Sequence, residues 1–175
     1  MDHADHLNLL RDGILSPGGV WADLGSGRGA FTLALADLLG PGGMIYAVDR
    51  DRSALNVLQR RMRAQYPEVQ LHPITADFND PLELPHLDGI VMANSLHFQP
   101  HPLRAVRQAY SYLERGGRFI LVEYNLQLGK YPVPYPVPLD AWVDIARQTG
   151  FVSTQLLRTR PSSTMGEIYS ACSVK

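Results

Sequence analysis

Three aspartates and one glycine-rich loop carry the chemistry open to this sequence. Gly25-Ser26-Gly27-Arg28-Gly29 follows the apolar run Val20 to Leu24. Without a β-carbon at Gly25 and Gly27, such a loop lets a ligand lie against the backbone between a strand and a helix N-terminus. Asp23 stands two residues ahead of the first glycine. A carboxylate there serves poorly beside a pyrophosphate, since both are negative, and well beside an ammonium or sulfonium group. Asp49 closes the next apolar run, where it can accept two hydrogen bonds from a ribose diol; Asp77 follows the third, where it can accept one from an exocyclic amine. In an open α/β sheet, three acids at the ends of successive strands converge on the crevice where ligands sit. Taken singly, each has a simpler use: Asp23 capping the glycine turn, Asp49 the helix near Ser53, Asp77 the turn at Asn79-Asp80. A tight turn alone would explain the glycines, and Gly25-x-Gly27-x-x-Ala30 with Asp49 also fits a dinucleotide fingerprint. The shared position of the acids favours a ligand.

His97, after the fourth apolar run, is the candidate general base, because an imidazole titrates near neutrality. A structural role or a pocket wall is the alternative. His101 is a weaker candidate at the start of the next helix, and Tyr124, Asn125, Tyr131 and Tyr135 could shape a substrate pocket. His3 and His6 lie one helical turn apart, but two ligands without a third read as an exposed face. Cys172 is the only cysteine, so neither a disulfide framework nor a thiolate metal cluster is expected.

The elements that must position these residues alternate. A helix is expected over Asp5 to Leu15, with Leu7, Leu10 and Ile14 on one face. Strands follow at Val20 to Leu24, Met44 to Val48, Val69 to Thr75, Leu87 to Ala93 and Arg118 to Glu123. Helices lie between them at Ala30 to Leu39, Ser53 to Gln65 and Pro102 to Leu113. Alternation of this kind predicts βαβ units and a parallel sheet. Pro81 and Pro85 leave little room for a helix between Ala76 and His86. From Tyr131 to Pro138 proline takes every second position, which favours an extended, polyproline-like segment. It reads as a stiff loop over the sheet edge and a lid or wall for the substrate; a ligand for a proline-recognising module is the alternative. A helix over Leu139 to Thr149 precedes two strands, Phe151 to Thr159 and Ile168 to Val174. Their link through Arg160 to Glu167 is too short for a crossover, so the pair should be antiparallel.

At 175 residues, with 45% hydrophobic and 19% charged side chains, the chain reads as one globular domain spanning residues 1–175. Sixteen basic and 17 acidic residues give a net charge of −1, which offers no support for bulk attraction to nucleic acid or an anionic membrane. The run Arg60, Arg61, Arg63 reads as a solvated helix face. The start of the chain lacks the pattern of a signal peptide, and no apolar stretch approaches membrane-spanning length, so the cytoplasm is the expected compartment.

The ordered set of motifs resembles the class I S-adenosylmethionine-dependent methyltransferases of the small-molecule type. Val20 to Gly29 looks like the first motif of that family, Ala47-Val48-Asp49 like the second, and Ala76-Asp77-Phe78 like the adenine-contacting motif. Ala93 to Phe98 is similar to the segment after the fourth strand, and Leu113 to Phe119 to the turn into the fifth. The resemblance implies a doubly wound, mostly parallel seven-stranded sheet with helices on both faces, its last strand antiparallel between the fifth and sixth. It implies S-adenosylmethionine as cofactor, held by Asp23, Gly25, Ser26, Gly27, Asp49, Arg50, Asp77, Phe78 and Asn94, with His97 catalytic and no metal. With only one helix ahead of the first strand, the methyl acceptor should be small, or a second subunit of a homo-oligomer completes its pocket. A non-catalytic S-adenosylmethionine binder and an NAD-dependent oxidoreductase are the competing readings.

Overall fold

The structure, a computed structural model, describes residues 1–162 and 165–175. Seven strands, β1 (Gly19–Leu24), β2 (Gly43–Asp49), β3 (Gln70–Thr75), β4 (Leu87–Ala93), β5 (Leu113–Tyr124), β6 (Ser153–Pro161) and β7 (Glu167–Val174), form one sheet in the order β3-β2-β1-β4-β5-β7-β6. The first five pair in parallel, and β7 pairs antiparallel with both β5 and β6. This is the topology the resemblance implies. Ser163 and Thr164, in the expected link between β6 and β7, lie outside the described residues.

Strand alternation sends the core to both faces. On one, Trp21, Ile45, Val91, Ile120 and Val122 pack beneath α1 (His3–Leu10), α2 (Ala30–Leu39) and α3 (Arg52–Gln65). On the other, Ala22, Ile90, Met92, Phe119 and Leu121 meet α4 (Pro102–Tyr112) and α5 (Leu139–Thr149). Trp21 pairs in register with Gly89 across β1 and β4, and its indole fills the space a β-carbon at Gly89 would need. Gly89→Ala should therefore destabilise the protein by about 1–3 kcal/mol, the usual cost of overpacking. Urea denaturation would check this; an unchanged midpoint would mean the indole moves aside freely.

Several boundaries differ from expectation for identifiable reasons. Helix α1 starts early because Asp2 and Asp5 cap each other's backbone N–H groups at 2.9 and 3.0 Å. It ends at Leu10 in a 3₁₀ turn, Arg11–Gly13, where Gly13 lies against Ile120 with no room for a β-carbon. Strand β5 extends back to Leu113, which pairs with Leu87 across a register shift. Gly116 and Gly117 are held to the chain end by reciprocal backbone bonds with Lys175 at 2.8 and 3.0 Å. Strand β6 starts two residues late because Phe151 turns into the core against Phe119 and Trp142.

The proline segment is not fully extended. Lys130 and Val133 bridge each other across a tight turn at Tyr131-Pro132, whose peptide is cis. Val133 and Val137 are buried, and the Tyr169 hydroxyl donates to the Val137 carbonyl at 2.7 Å. The segment is thus pinned to the sheet edge.

Candidate active site

The carboxyl ends of β1, β2 and β4 open a crevice in two lobes that share Gly25 and Asn94. One lobe, about 240 Å³, is lined by Asp23, Ser26, Phe31, His6, Arg28 and Arg61. The other, about 310 Å³, is lined by Gly27, Asp49, Arg50, Phe78, Ser95 and Phe98. Another cavity, about 340 Å³, lies at the amino edge of the sheet near Gly40, Tyr66 and Val69, away from the acids.

The glycine loop hangs from β2: the N–H groups of Gly25 and Ser26 both donate to the Val48 carbonyl, at 2.8 and 3.0 Å. Gly25 has φ of +87° and faces Ser95 so closely that a β-carbon there would collide with that side chain. Gly27 has φ of +52° with open space where a β-carbon would point, so its backbone is free to meet a ligand. Its N–H donates to Asp49 Oδ2 at 2.7 Å, and Asp51 N–H donates to Asp49 Oδ1 at 2.8 Å. A carboxylate offers about four acceptor sites, so each Asp49 oxygen keeps one for a further donor. The cap of α3 is Asp51, which accepts from Ser53 and Ala54, and not Asp49.

Asp23 is 1% exposed. The Thr32 hydroxyl of α2 donates to its Oδ2 at 2.6 Å. Burial, against the relief of that bond, pushes its pKa from 3.8 up to about 7, and the negative charge of Asp49 adds to the rise. A cation in this lobe would hold Asp23 ionised. Asp77 uses Oδ1 to accept from the backbone and side chain of Asn79, at 2.9 and 2.8 Å, which is the turn expected there. Its Oδ2 faces the Arg50 guanidinium at 3.5 Å. Asp77 does not line either lobe, while its neighbour Phe78 lines the larger one. Asn94 takes a left-handed backbone, φ +52°, and its buried Oδ1 has no hydrogen-bond partner. An unpaired acceptor at the junction of the two lobes suits a ligand N–H or O–H.

His97 sits in a 3₁₀ turn after β4, Leu96–Phe98, and is 3% exposed. Its Nδ1 lies 2.6 Å from Glu123 Oε2, while Glu123 Oε1 accepts from the N–H groups of Leu96 and His97 at 3.0 and 3.2 Å. Glu123 accepting from both N–H groups sets its carboxylate to accept from Nδ1 as well, which leaves Nε2 as the ring nitrogen for another partner. Glu123, wholly buried at the end of β5, was not singled out from the sequence. The available signal was an acid closing the apolar run Phe119-Ile120-Leu121-Val122. His101 is exposed at the N-terminus of α4. Asn125 is spent on structure, its Oδ1 accepting from Leu139 N–H and its Nδ2 donating to Glu167. His3 pairs with Asp37 at 3.2 Å, and His6 lies tilted over the Phe31 ring.

A family model described as "Methyltransferase domain" matches residues 22–119, which takes in the glycine loop, all three aspartates and His97. The chain belongs to this family. The methyltransferase domain has the sheet order of the class I S-adenosylmethionine-dependent fold. It is 26% identical over 151 residues to a 2-phytyl-1,4-naphtoquinone methyltransferase of Trichormus variabilis, covering 81% of this chain and 66% of that protein. It is 35% identical over 95 residues to ribosomal RNA small subunit methyltransferase H of Acidobacterium capsulatum, covering 47% of this chain and 32% of that one. The matched segments therefore span less than two thirds of either curated relative. A solved S-adenosylmethionine-dependent methyltransferase from Aquifex aeolicus superposes with a TM-score of 0.75 at 18% identity, over 97% of this methyltransferase domain and 89% of that chain.

Proposed function

We propose that residues 1–175 act as a single domain that transfers a methyl group from S-adenosylmethionine to a small-molecule acceptor in the cytoplasm. No helix among the described residues is long and apolar enough to cross a membrane. The observation that carries this reading is the buried Asp23 carboxyl in a crevice that also holds Asp49, the open Gly27 backbone and the unpaired Asn94 Oδ1.

These residues fit the cofactor by charge and hydrogen bonding. Asp23 balances a positive sulfonium or ammonium group in a site screened from water. Asp49 has acceptor capacity left for a ribose diol. Phe78, with Arg50 and Asp77 beside it, offers a flat face and polar edge for an adenine ring, and Gly25, Ser26 and Gly27 give backbone approach. Asn94 accepts from the polar end of the ligand. A nicotinamide dinucleotide would instead bring its pyrophosphate to this loop, against the Asp23 charge.

S-adenosylmethionine supplies an electrophilic methyl group on sulfur, so the protein's task is chiefly alignment. His97 takes the acceptor's proton at Nε2, and Glu123 holds the imidazole in that tautomer. The naphtoquinone methyltransferase relative supports a small acceptor, since its match runs through most of this chain. The ribosomal RNA relative matches only 47% of it.

Calorimetry tests the assignment. S-adenosylhomocysteine should bind the wild type, and Asp49→Ala should weaken it by about tenfold or more, the loss of hydrogen bonds to a charged acceptor. Saturable NAD binding at the same site, or an unaltered affinity in the variant, would refute the proposal.

A further inference from the structure

Among the described residues only three aromatic side chains are largely open to water, and all three lie on the two segments that meet at His97. They are Phe98 at 51%, Tyr131 at 97% and Tyr135 at 48% exposure; Leu128, on the same loop, is 82% exposed. Phe98 packs its ring against the His97 imidazole with centroids 4.3 Å apart, and Tyr124 approaches from another side at 6.0 Å. Tyr135 is tied to the same place through its N–H, which donates to the His97 carbonyl at 3.0 Å. Buried Val133 and Val137 hold this wall in position from beneath, so the rings are presented on a fixed support. Exposed aromatic surface on two segments joined at the His97 turn marks a binding surface far more than a solvated loop.

The base beneath this surface constrains the ligand further. Glu123 is sealed behind His97 with three donors on it, so it is closed to a substrate cation. With Nδ1 bound to Glu123, the nitrogen left for a substrate is Nε2, on a ring that is 3% exposed and lines neither lobe of the crevice, so a proton is removed there only from an acceptor packed closely against the neighbouring rings. We propose, resting on the methyltransferase reading, that the methyl acceptor is a planar, apolar molecule bearing a weakly acidic hydroxyl or an activated C–H, bound against Phe98, Tyr124 and Tyr135. As the acceptor oxygen or carbon bonds to the methyl carbon, the carbon–sulfur electron pair leaves with sulfur. The acceptor's proton moves to His97 Nε2. The Glu123 carboxylate then faces an imidazolium, which returns the proton to water.

Titration of the S-adenosylhomocysteine complex with 2-naphthol, a planar weak acid, and with 1-adamantanol, a globular alcohol, tests the proposal by ligand-observed NMR. The expected result is a preference for 2-naphthol of about tenfold, with Tyr135→Ala weakening 2-naphthol by about fivefold through loss of ring contact. S-adenosylhomocysteine affinity should stay the same in that variant. Equal binding of the two alcohols, or 2-naphthol binding indifferent to Tyr135→Ala, overturns the acceptor class while leaving cofactor binding intact. Failure of S-adenosylhomocysteine to bind at the outset overturns the methyltransferase reading itself, and the acceptor class with it.

Discussion

His97→Ala is expected to slow methyl transfer by about 10²–10⁴-fold, the usual range for loss of a positioned general base, with S-adenosylmethionine affinity nearly unchanged. Glu123→Gln should cost less in rate and alter the acid limb of the pH–rate profile. An amide in place of the carboxylate can still accept from the N–H groups of Leu96 and His97, but it no longer balances an imidazolium. Glu123→Asp should recover part of the loss. A rate indifferent to pH in both wild type and Glu123→Gln would leave His97 as a pocket wall with no base function. The 2.6 Å contact between His97 and Glu123 is the reason to test the two together, since residues that act as a unit give non-additive effects.

The second large effect concerns Asp23. Its pKa in the folded protein stands at about 7 against an ordinary 3.8, so between those values the native state keeps a proton that the unfolded chain has released. Stability of the ligand-free protein must then fall as pH rises from about 4 to 7, by on the order of 4 kcal/mol in full. Asp23→Asn removes that dependence and should make the ligand-free protein more stable than wild type at pH 8. The same substitution should weaken S-adenosylmethionine and flatten its pH dependence, whereas wild-type affinity should climb between pH 6 and 8 as the carboxylate forms. Denaturation midpoints and calorimetry at three pH values would check both halves. A wild-type midpoint that rises over this interval would show Asp23 ionised throughout and cancel the prediction.

Much of this arrangement was legible because its determinants are local. The glycine loop, the acids at strand ends and the helix over Leu139–Thr149 depend on neighbours in sequence, and proline or glycine punctuates most boundaries. What escaped was non-local. Glu123 gains meaning only when β4 and β5 align and bring the turn after β4 beneath it. Thr32 reads as an ordinary helix residue until α2 lies over β1 and its hydroxyl finds Asp23. The turn inside the proline segment does not follow from the backbone preference of alternating prolines, because burial of Val133 and Val137 bends the chain toward the core. Asp77 was read as a ligand and as a turn former; its Oδ1 serves the turn.

The insertion of β7 between β5 and β6 also bears on the order in which the protein can be made. Every strand that frames the crevice precedes residue 125, but β5 has its outer edge, Arg118 to Tyr124, paired only with β7. During synthesis that edge, centred on Phe119-Ile120-Leu121-Val122, emerges about fifty residues before its partners Ser170 to Ser173. Until the β6–β7 hairpin docks, the nascent chain carries an apolar, hydrogen-bond-hungry border of the kind that recruits other chains. Soluble yield is therefore expected to depend on how fast the last hairpin closes, a property separate from how well the finished crevice binds.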